Sequence, residues 1–179
     1  GQIIYEVNGD ERKSPASITK IMTLLVIFDE LASGNIKLDD EVVTSAYAKS
    51  MGGSQVFLEE GEVQTVDTLI KCIAVASGND AAVAIATHIS GDVDSFVKVM
   101  NEKCKEIGMT STNFVNPHGL DARNHYSTAR DLAVLAAYAM ENPILAKTVS
   151  TKTVRAGERT LRNHNKLLWC LEGADGVKT

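Results

Sequence analysis

The chain has 179 residues, 44% of them hydrophobic, and its 18 basic and 23 acidic residues give a net charge of -5. This size and apolar content suit a chain that buries a core, which excludes disorder as its main state. The charges form no Lys/Arg block, so no nucleic-acid partner is expected, and the longest uncharged apolar stretches, residues 21–28 and 132–140, are well short of the ~20 residues that a membrane span needs.

The first third of the chain predicts a strand, a long helix and a turn-rich connection. Residues 3–7 are mostly β-branched or aromatic and precede an Asn-Gly turn, which indicates a strand. Ser14 and Pro15 are typical of a helix start, and the apolar run after them extends through Phe28 and ends before Gly34. The next segment is expected to hold two short strands: residues 42–44 and 55–57.

The middle of the chain predicts helices. Gly108 is expected to close the last of them in the left-handed conformation, and residues 116–119 to form a turn. The three expected helices cover residues 66–76, 80–89 and 93–107.

The last third predicts one more helix and then strands. Ser127 is the expected N-cap of a helix over residues 128–140, which ends before Pro143. The segments expected to be extended are a hairpin formed by residues 151–155 and 159–162, and the start of a strand at residues 175–179.

The cysteines and histidines predict neither a disulfide framework nor a metal site. Cys72, Cys104 and Cys170 are odd in number, lie far apart and form no C-x-x-C pair, and the four histidines show no H-E-x-x-H spacing. We therefore expect no metal and no cofactor.

A serine and a lysine three residues apart at the start of the first helix suggest nucleophilic catalysis. Ser17 and Lys20 fall on one helix face, so the lysine is in reach of the serine proton, and the helix start offers free N–H groups for an oxyanion. The spacing alone is a weak signal, since Ser95 and Lys98 repeat it within a polar helix. An N-terminal serine beside a solvated lysine is the structural alternative.

Two further short sequences carry polar groups suited to a cleft. Ser77 and Asn79 lie between two apolar helices, whereas the same letters at residues 33–35 directly follow a helix and indicate its C-terminal cap. Lys178 and Thr179 would place an ammonium and a hydroxyl on a strand, a suitable seat for a carboxylate. The structural alternative for this last pair is a frayed polar terminus.

In this order the three sequences resemble the S-x-x-K, S-x-N and K-T-G set of the penicillin-recognising serine enzymes. The resemblance is closest to the low-molecular-mass penicillin-binding proteins, the serine-type D-Ala-D-Ala carboxypeptidases, and covers nearly the whole chain. The longer matching strings are residues 15–23, 116–121, 125–133 and 163–168.

The resemblance implies a mixed α/β (α+β) fold of the β-lactamase/transpeptidase-like type. Its helical subdomain packs on an antiparallel sheet, with the active site in the seam between them. It further implies that residues 1–179 are a single catalytic domain without the first strand, which in that family precedes Gly1, and without the strands that follow the K-T-G motif. We therefore expect residues 3–7 and the Lys178 strand to lack ladder partners in this chain.

The resemblance also implies a serine DD-carboxypeptidase that removes the terminal D-Ala from peptidoglycan stem peptides through an acyl-enzyme and is inhibited by β-lactams. It implies an extracytoplasmic location and a possible membrane anchor outside this chain. The catalytic residues that it assigns are Ser17 as nucleophile, Lys20 as base, Ser77 as proton relay, and Asn79, which holds the substrate amide and orients Lys20. The substrate-binding residues are Lys178 and Thr179, which bind the carboxylate, and His118. For His118 a role in water handling is considered beside the alternative of a structural histidine in its turn.

Two alternatives stay open at this point. A serine β-lactamase of class A would carry a glutamate in an E-x-x-L-N context between the second and third motifs, and Glu102, Glu106, Glu141 and Glu158 all lack it. A non-catalytic module that binds cell-wall peptides or β-lactams is the alternative from another class of function.

Overall fold

The structure is a bundle of helices with two small antiparallel sheets, described for residues 2–178 by a computed structural model. The helices are α1 (Thr19–Ala32), α2 (Ala46–Lys49), α3 (Val66–Ala76), α4 (Asn79–Ser90), α5 (Val93–Glu106), α6 (Ala129–Met140), α7 (Pro143–Val149) and α8 (Leu167–Cys170), and a 3-10 turn (Ala16–Ile18) precedes α1. The strands are β1 (Glu41–Val43), β2 (Val63–Thr65), β3 (Thr153–Ala156) and β4 (Arg159–Arg162). Among residues 2–178, each helix is too short or too polar to cross a membrane.

Helix α1 lies at the centre of the core. Its apolar residues from Ile21 to Phe28 are buried, and it packs against α3, α4, α5, α6 and α7. The helix ends at the predicted place, because Gly34 has a φ of 73°, the left-handed conformation that closes helices. The polar residues of its first turns are buried as well: Thr19, Lys20 and Thr23.

Helices α3, α4 and α5 confirm the prediction for the middle of the chain. The side chain of Thr65 accepts a hydrogen bond from the backbone of Thr68 and caps α3, and Asp92 caps α5 in the same way. Gly108, with a φ of 84°, follows the end of α5 as expected.

The two sheets are antiparallel pairs at separate places. Strand β1 pairs with β2, with Val42 opposite Gln64, and β3 pairs with β4, with Val154 opposite Leu161. The β3–β4 pair confirms the predicted hairpin, and it packs against α3.

The strand predicted for residues 3–7 is absent, and so is the one predicted at residues 175–178. Residues 3–7 are exposed, with Ile4 93% exposed, and they lie along α6, where a cavity of ≈ 600 Å³ separates the two. Arg130 of α6 holds this segment through ion pairs with Glu6 and Asp10. A strand needs a ladder partner, and neither segment pairs with another strand among the described residues. Both segments thus lack ladder partners among the described residues, as expected, and the assignment of one catalytic domain without its first and last strands stays a prediction.

The prediction of a strand at residues 55–57 is also wrong. The strand that pairs with β1 is β2, further along the chain. The backbone N–H groups of Val56 and Leu58 donate to the carboxylate of Asp80 instead of to a neighbouring strand. Phe57, between them, has a φ of 58°, which no strand allows. The carboxylate of Asp80, distant in sequence, therefore accepts the hydrogen bonds that a neighbouring strand would accept.

Two predicted helix starts differ from the observed ones. Pro15 precedes the 3-10 turn and α1 begins only at Thr19, so Ser14 is not the cap. Thr128 rather than Ser127 caps α6, since the backbone of Ser127 pairs with that of Lys13.

Three helices were not predicted: the single-turn helices α2 and α8, and the longer α7. Asn142 caps α7 by accepting from the backbone N–H groups of Ile144 and Leu145, and Pro143 is its first residue. The proline that the prediction treated as a stop therefore begins a new helix, because its missing N–H costs nothing at that position.

A close backbone approach at Gly119 yields a test of this fold. A Cβ at Gly119 would lie 1.9 Å from the carbonyl oxygen of Ala16, and the φ of Gly119 is 91°. We expect Gly119→Ala to lower the free energy of unfolding by about 3 kcal/mol or more, because the backbone must move. The measurement is urea unfolding followed by circular dichroism.

The matched control is Gly34→Ala. Gly34 also has a positive φ, of 73°, but a Cβ there meets no atom within 4 Å. It should lose only the ~1 kcal/mol that a left-handed alanine costs. Equal losses in the two variants would contradict the close approach at Gly119.

Candidate active site

Ser17 and Lys20 are brought together at the junction between the 3-10 turn and α1. The Nζ of Lys20 lies 3.2 Å from the Oγ of Ser17, within hydrogen-bond distance. Ala16, just before Ser17, has a φ of 47°, a left-handed backbone that is unusual for alanine. The sequence prediction that the two side chains share one helix face is thus confirmed in its geometry.

The ammonium of Lys20 is buried, and this burial determines its chemistry. Lys20 is 0% exposed, and its Nζ donates to the carbonyl oxygen of His118 at 2.6 Å. Desolvation, and after it the positive charge of Lys178, lower the pKa of Lys20 to about 7, against the opposing effect of the Asp80 carboxylate. A substantial fraction of Lys20 is therefore neutral near pH 7 and able to accept a proton.

The carbonyl of His118 is held in place by the turn at residues 116–119. The Oδ1 of Asn116 accepts from the backbone N–H of Gly119 at 2.7 Å, and the hydroxyl of Thr23 donates to the carbonyl of Pro117 at 2.6 Å. The ring of His118 is turned to the backbone, since its Nδ1 accepts from the N–H of Leu120. The contact with Lys20 is therefore made by the main chain of His118, and not by its imidazole.

His125 ties the same loop to α1. Its Nδ1 accepts from the backbone N–H of Val115, so we infer that its Nε2 carries the proton and donates to the hydroxyl of Thr19, 2.9 Å away. Burial lowers the pKa of His125, and burial with the nearby Lys20 lowers the pKa of His118 to about 4. Both imidazoles are thus held neutral inside the protein.

Ser77 and Asn79 occupy the turn between α3 and α4. Ser77 is buried and has a φ of 60°, and this left-handed residue ends α3. Asn79 is the first residue of α4, and its Nδ2 donates to the carbonyl of Gly52 at 2.7 Å. Its buried Oδ1 accepts no hydrogen bond from any residue that the structure describes, Lys20 included. A buried acceptor without such a hydrogen bond is available to a donor from outside the chain.

Lys178 lies near the ammonium of Lys20, while Thr179 lies outside the described residues. Burial lowers the pKa of Lys178 to about 8, and its charge acts on that of Lys20. The segment before it is held by Asn165, whose Nδ2 donates to the carbonyl of Gly176 at 2.7 Å. Within residues 2–178, no three or more His, Cys, Asp or Glu side chains are grouped so as to hold a metal ion.

Sequence reasoning missed two charged residues near the site. Asp80 is 1% exposed and accepts backbone hydrogen bonds from Val56 and Leu58, and Arg159 of β4 donates to the carbonyls of Val56 and Phe57. An acidic residue in the first turn of a helix is so common that its sequence position gave no signal.

The comparison with known families decides what this group of residues belongs to. A family model described as D-alanyl-D-alanine carboxypeptidase matches residues 1–179, the whole of the chain. The chain belongs to the D-alanyl-D-alanine carboxypeptidase family. The sequence-based recognition of that family is confirmed.

Individual relatives and solved structures are similar to this chain in sequence and in structure. The D-alanyl-D-alanine carboxypeptidase DacF of Bacillus subtilis (strain 168) is 48% identical over 184 residues, which cover 100% of this chain and 47% of the relative. The crystal structure of the D-alanyl-D-alanine carboxypeptidase DacD from Francisella tularensis superposes with a TM-score of 0.94 at 31% identity, covering 100% of this chain and 56% of that one. Penicillin binding protein 5 from Haemophilus influenzae gives 0.90 at 39% identity, covering 94% and 50%.

These superpositions confirm the predicted penicillin-binding-protein fold class. The chain spans about half the length of the curated relatives that it matches first.

The two buried histidines predict an acid-sensitive loop. Their pKa values in the folded protein lie below the ordinary 6.5, so the unfolded chain takes up more protons as the pH falls below about 6.5. We therefore expect the melting temperature to drop between pH 7 and pH 5. In His125→Asn, which keeps an acceptor for Val115 but does not titrate, the drop should be smaller than in the parent.

The control for this prediction is His88→Gln, which removes an exposed histidine on α4. This variant should show the same drop as the parent. A drop in His125→Asn as large as that in the parent would contradict a role for His125.

Proposed function

We propose that this protein is a serine DD-carboxypeptidase that removes the terminal D-Ala from peptidoglycan stem peptides through an acyl-enzyme. The observation that carries the proposal is the buried Nζ of Lys20, 3.2 Å from the Oγ of Ser17 and with a pKa of about 7. A hydroxyl becomes a useful nucleophile only where a neutral base can take its proton. Lys20 is such a base near neutral pH, and the family relationship supplies the substrate class.

Acylation begins when Ser17 attacks the carbonyl carbon of the penultimate D-Ala. The Oγ–C bond forms as the hydroxyl proton passes to the Nζ of Lys20, and the resulting tetrahedral oxyanion is stabilised by backbone N–H groups at the helix start. The peptide C–N bond then breaks. The leaving amine takes a proton relayed by Ser77, and the terminal D-Ala departs.

The remaining groups hold the substrate and complete the cycle. The buried Oδ1 of Asn79 accepts a hydrogen bond from the N–H of a substrate amide, while Lys178 and Thr179 bind the terminal carboxylate. Water then attacks the acyl-enzyme, which returns the proton to Ser17 and releases the shortened peptide. We assign to His118, which lies in the turn at residues 116–119, the positioning of this water.

The partners follow from this chemistry. A β-lactam carries a reactive amide in a comparable position and acylates the same Ser17 as an inhibitor. Because peptidoglycan lies outside the cytoplasmic membrane, we propose an extracytoplasmic location, with a possible membrane anchor outside this chain. The net charge of -5, without a basic block, argues against a nucleic-acid partner.

The nucleophile is tested by labelling the full-length protein with a fluorescent penicillin and mapping the labelled peptide. Ser17→Ala should abolish the label, because the acyl bond forms at its Oγ. Ser95→Ala is the matched control, since Ser95 and Lys98 repeat the spacing on the surface of α5. Label recovered on any serine other than Ser17 would show that the assignment is wrong.

The base is tested by Lys20→Arg and by the pH dependence of acylation. A guanidinium stays protonated, so the variant should lose about a hundredfold or more in acylation rate. In the parent, the rate should rise with pH through about 7, because the neutral form of Lys20 accumulates above its pKa. The measurement is the rate of penicillin labelling between pH 5 and 9.

A Lys20→Arg variant within a few fold of the parent would show that another group takes the proton. A parent rate that does not change across pH 7 would lead to the same conclusion.

A further inference from the structure

The segment of residues 52–58, called the wall segment below, lies against the turn that carries Ser77 and Asn79. The backbone N–H of Asn79 donates to the carbonyl of Ser54 at 2.8 Å, and its Nδ2 donates to the carbonyl of Gly52 at 2.7 Å. The side chain of Val56 lies beside Gly78, where a Cβ would come within 3.4 Å of it. The position of the Asn79 amide therefore depends on the position of the wall segment.

The N–H side of the wall segment is fixed by Asp80. Its carboxylate accepts from Val56 at 3.1 and 3.2 Å and from Leu58 at 3.1 Å, in addition to the N–H of Ala81 in its own helix. Asp80 is buried, and the ion pairs among residues 2–178 do not include it. A buried carboxylate that accepts several backbone hydrogen bonds fixes all of their donors relative to one helix.

The carbonyl side of the same segment is fixed by Arg159. Its Nε donates to the carbonyl of Val56 at 2.7 Å and its Nη2 to that of Phe57 at 3.0 Å. Glu62 orients the guanidinium through two contacts, at 2.6 and 2.9 Å, and this contact lowers the pKa of Glu62 to about 2. The wall segment is thus held from both sides by charged side chains.

The backbone between these two contacts is strained. Phe57 has a φ of 58°, which is rare for a residue with a bulky side chain, and it is 74% exposed, so little burial of its ring offsets the strain. The hydrogen bonds that Asp80 accepts from this segment and those that Arg159 donates to it hold this conformation. Strain retained in this way beside a candidate active site suggests that the conformation serves the site.

We propose that Asp80 and Arg159 are positioning residues, which fix the wall segment and thereby the Asn79 amide that holds the substrate. This proposal rests on the proposed function, because it assigns the two residues to the acylation of Ser17. Neither residue contacts the reacting atoms. Both position the Asn79 amide through the main chain of the wall segment.

The two residues differ in their electrostatic effect on the base. The charged groups acting on Lys20 are Lys178, which lowers its pKa, and Asp80, which raises it, and the buried imidazole of His118 lies beside it. Arg159 is not among these groups, although its own charge is coupled to that of Asp80. Removing the charge of Asp80 therefore shifts the pH dependence of acylation, whereas removing that of Arg159 does not.

The first measurement is amide hydrogen exchange of the wall segment in the full-length protein. Asp80→Asn replaces an acceptor with an NH₂ group that faces backbone donors, and Arg159→Gln removes the contacts to the carbonyls. We expect both variants to speed exchange at Val56 and Leu58 by about tenfold or more, since each loses a charge-assisted hydrogen bond. This readout does not depend on activity.

The second measurement is the rate of Ser17 acylation by a fluorescent penicillin as a function of pH. Both variants should lose about tenfold in rate, and the double variant should lose less than the product of the two single losses, because both act on one segment. The pH midpoint should move down in Asp80→Asn and stay in place in Arg159→Gln. Losses that multiply, or a midpoint in Asp80→Asn that stays where it is in the parent, would overturn the proposal.

The matched controls are Asp67→Asn and Arg155→Gln. Asp67 is, like Asp80, the second residue of its helix but pairs with Lys71. Arg155 lies on the same hairpin as Arg159 but donates to the carbonyl of Gly157. Both controls should match the parent in exchange of the wall segment and in acylation.

The possible failures are distinguishable. Parent-like exchange and acylation in Arg159→Gln overturn the proposal even if Asp80→Asn does not fold. Rapid acylation of a serine other than Ser17 in the parent overturns the proposed function, and the exchange data then stand as a separate result on the wall segment.

Discussion

The arrangement of the site depends on the burial of a single ammonium group. Lys20 lies on the central helix α1 with no exposed surface, and a buried lysine loses its hydration unless the protein supplies acceptors. The turn at residues 116–119 supplies the carbonyl of His118, and it reaches this position because Gly119 passes against the backbone of Ala16. Burial, together with the charge of Lys178, is what makes Lys20 a base near neutral pH, and two chain segments about a hundred residues apart in sequence meet at its ammonium.

The polar residues around Lys20 form two supports that meet at the site. On one side, Thr19 and Thr23 of α1 bind the loop through His125 and the carbonyl of Pro117. On the other side, Asp80 fixes the wall segment and raises the pKa of Lys20, against the effects of burial and of Lys178. The pKa of Lys20 is therefore a balance between desolvation, a like charge and an opposite charge, each supplied by a different part of the chain.

This chain superposes as a whole on part of a longer relative. The superposition covers the whole chain at a TM-score of 0.94 but only 56% of the compared carboxypeptidase. The strand predicted at residues 3–7 is exposed beside α6, and the segment before Lys178 is irregular. The helices that carry Lys20 and Asn79, α1 and α4, nevertheless pack against each other and against α3.

The sequence by itself determined the features that follow from local pattern. The apolar periodicity and caps of α3, α4 and α5, the β3–β4 hairpin and the shared face of Ser17 and Lys20 all depend on residues a few positions apart. Only the tertiary structure decided which carbonyl meets Lys20, that Asp80 and Arg159 hold Val56, and that residues 3–7 and 55–57 are not strands. A ladder, or a bond from a side chain to a distant backbone, joins residues whose separation along the chain carries no periodic signal, so their pairing emerges only when the helices have packed.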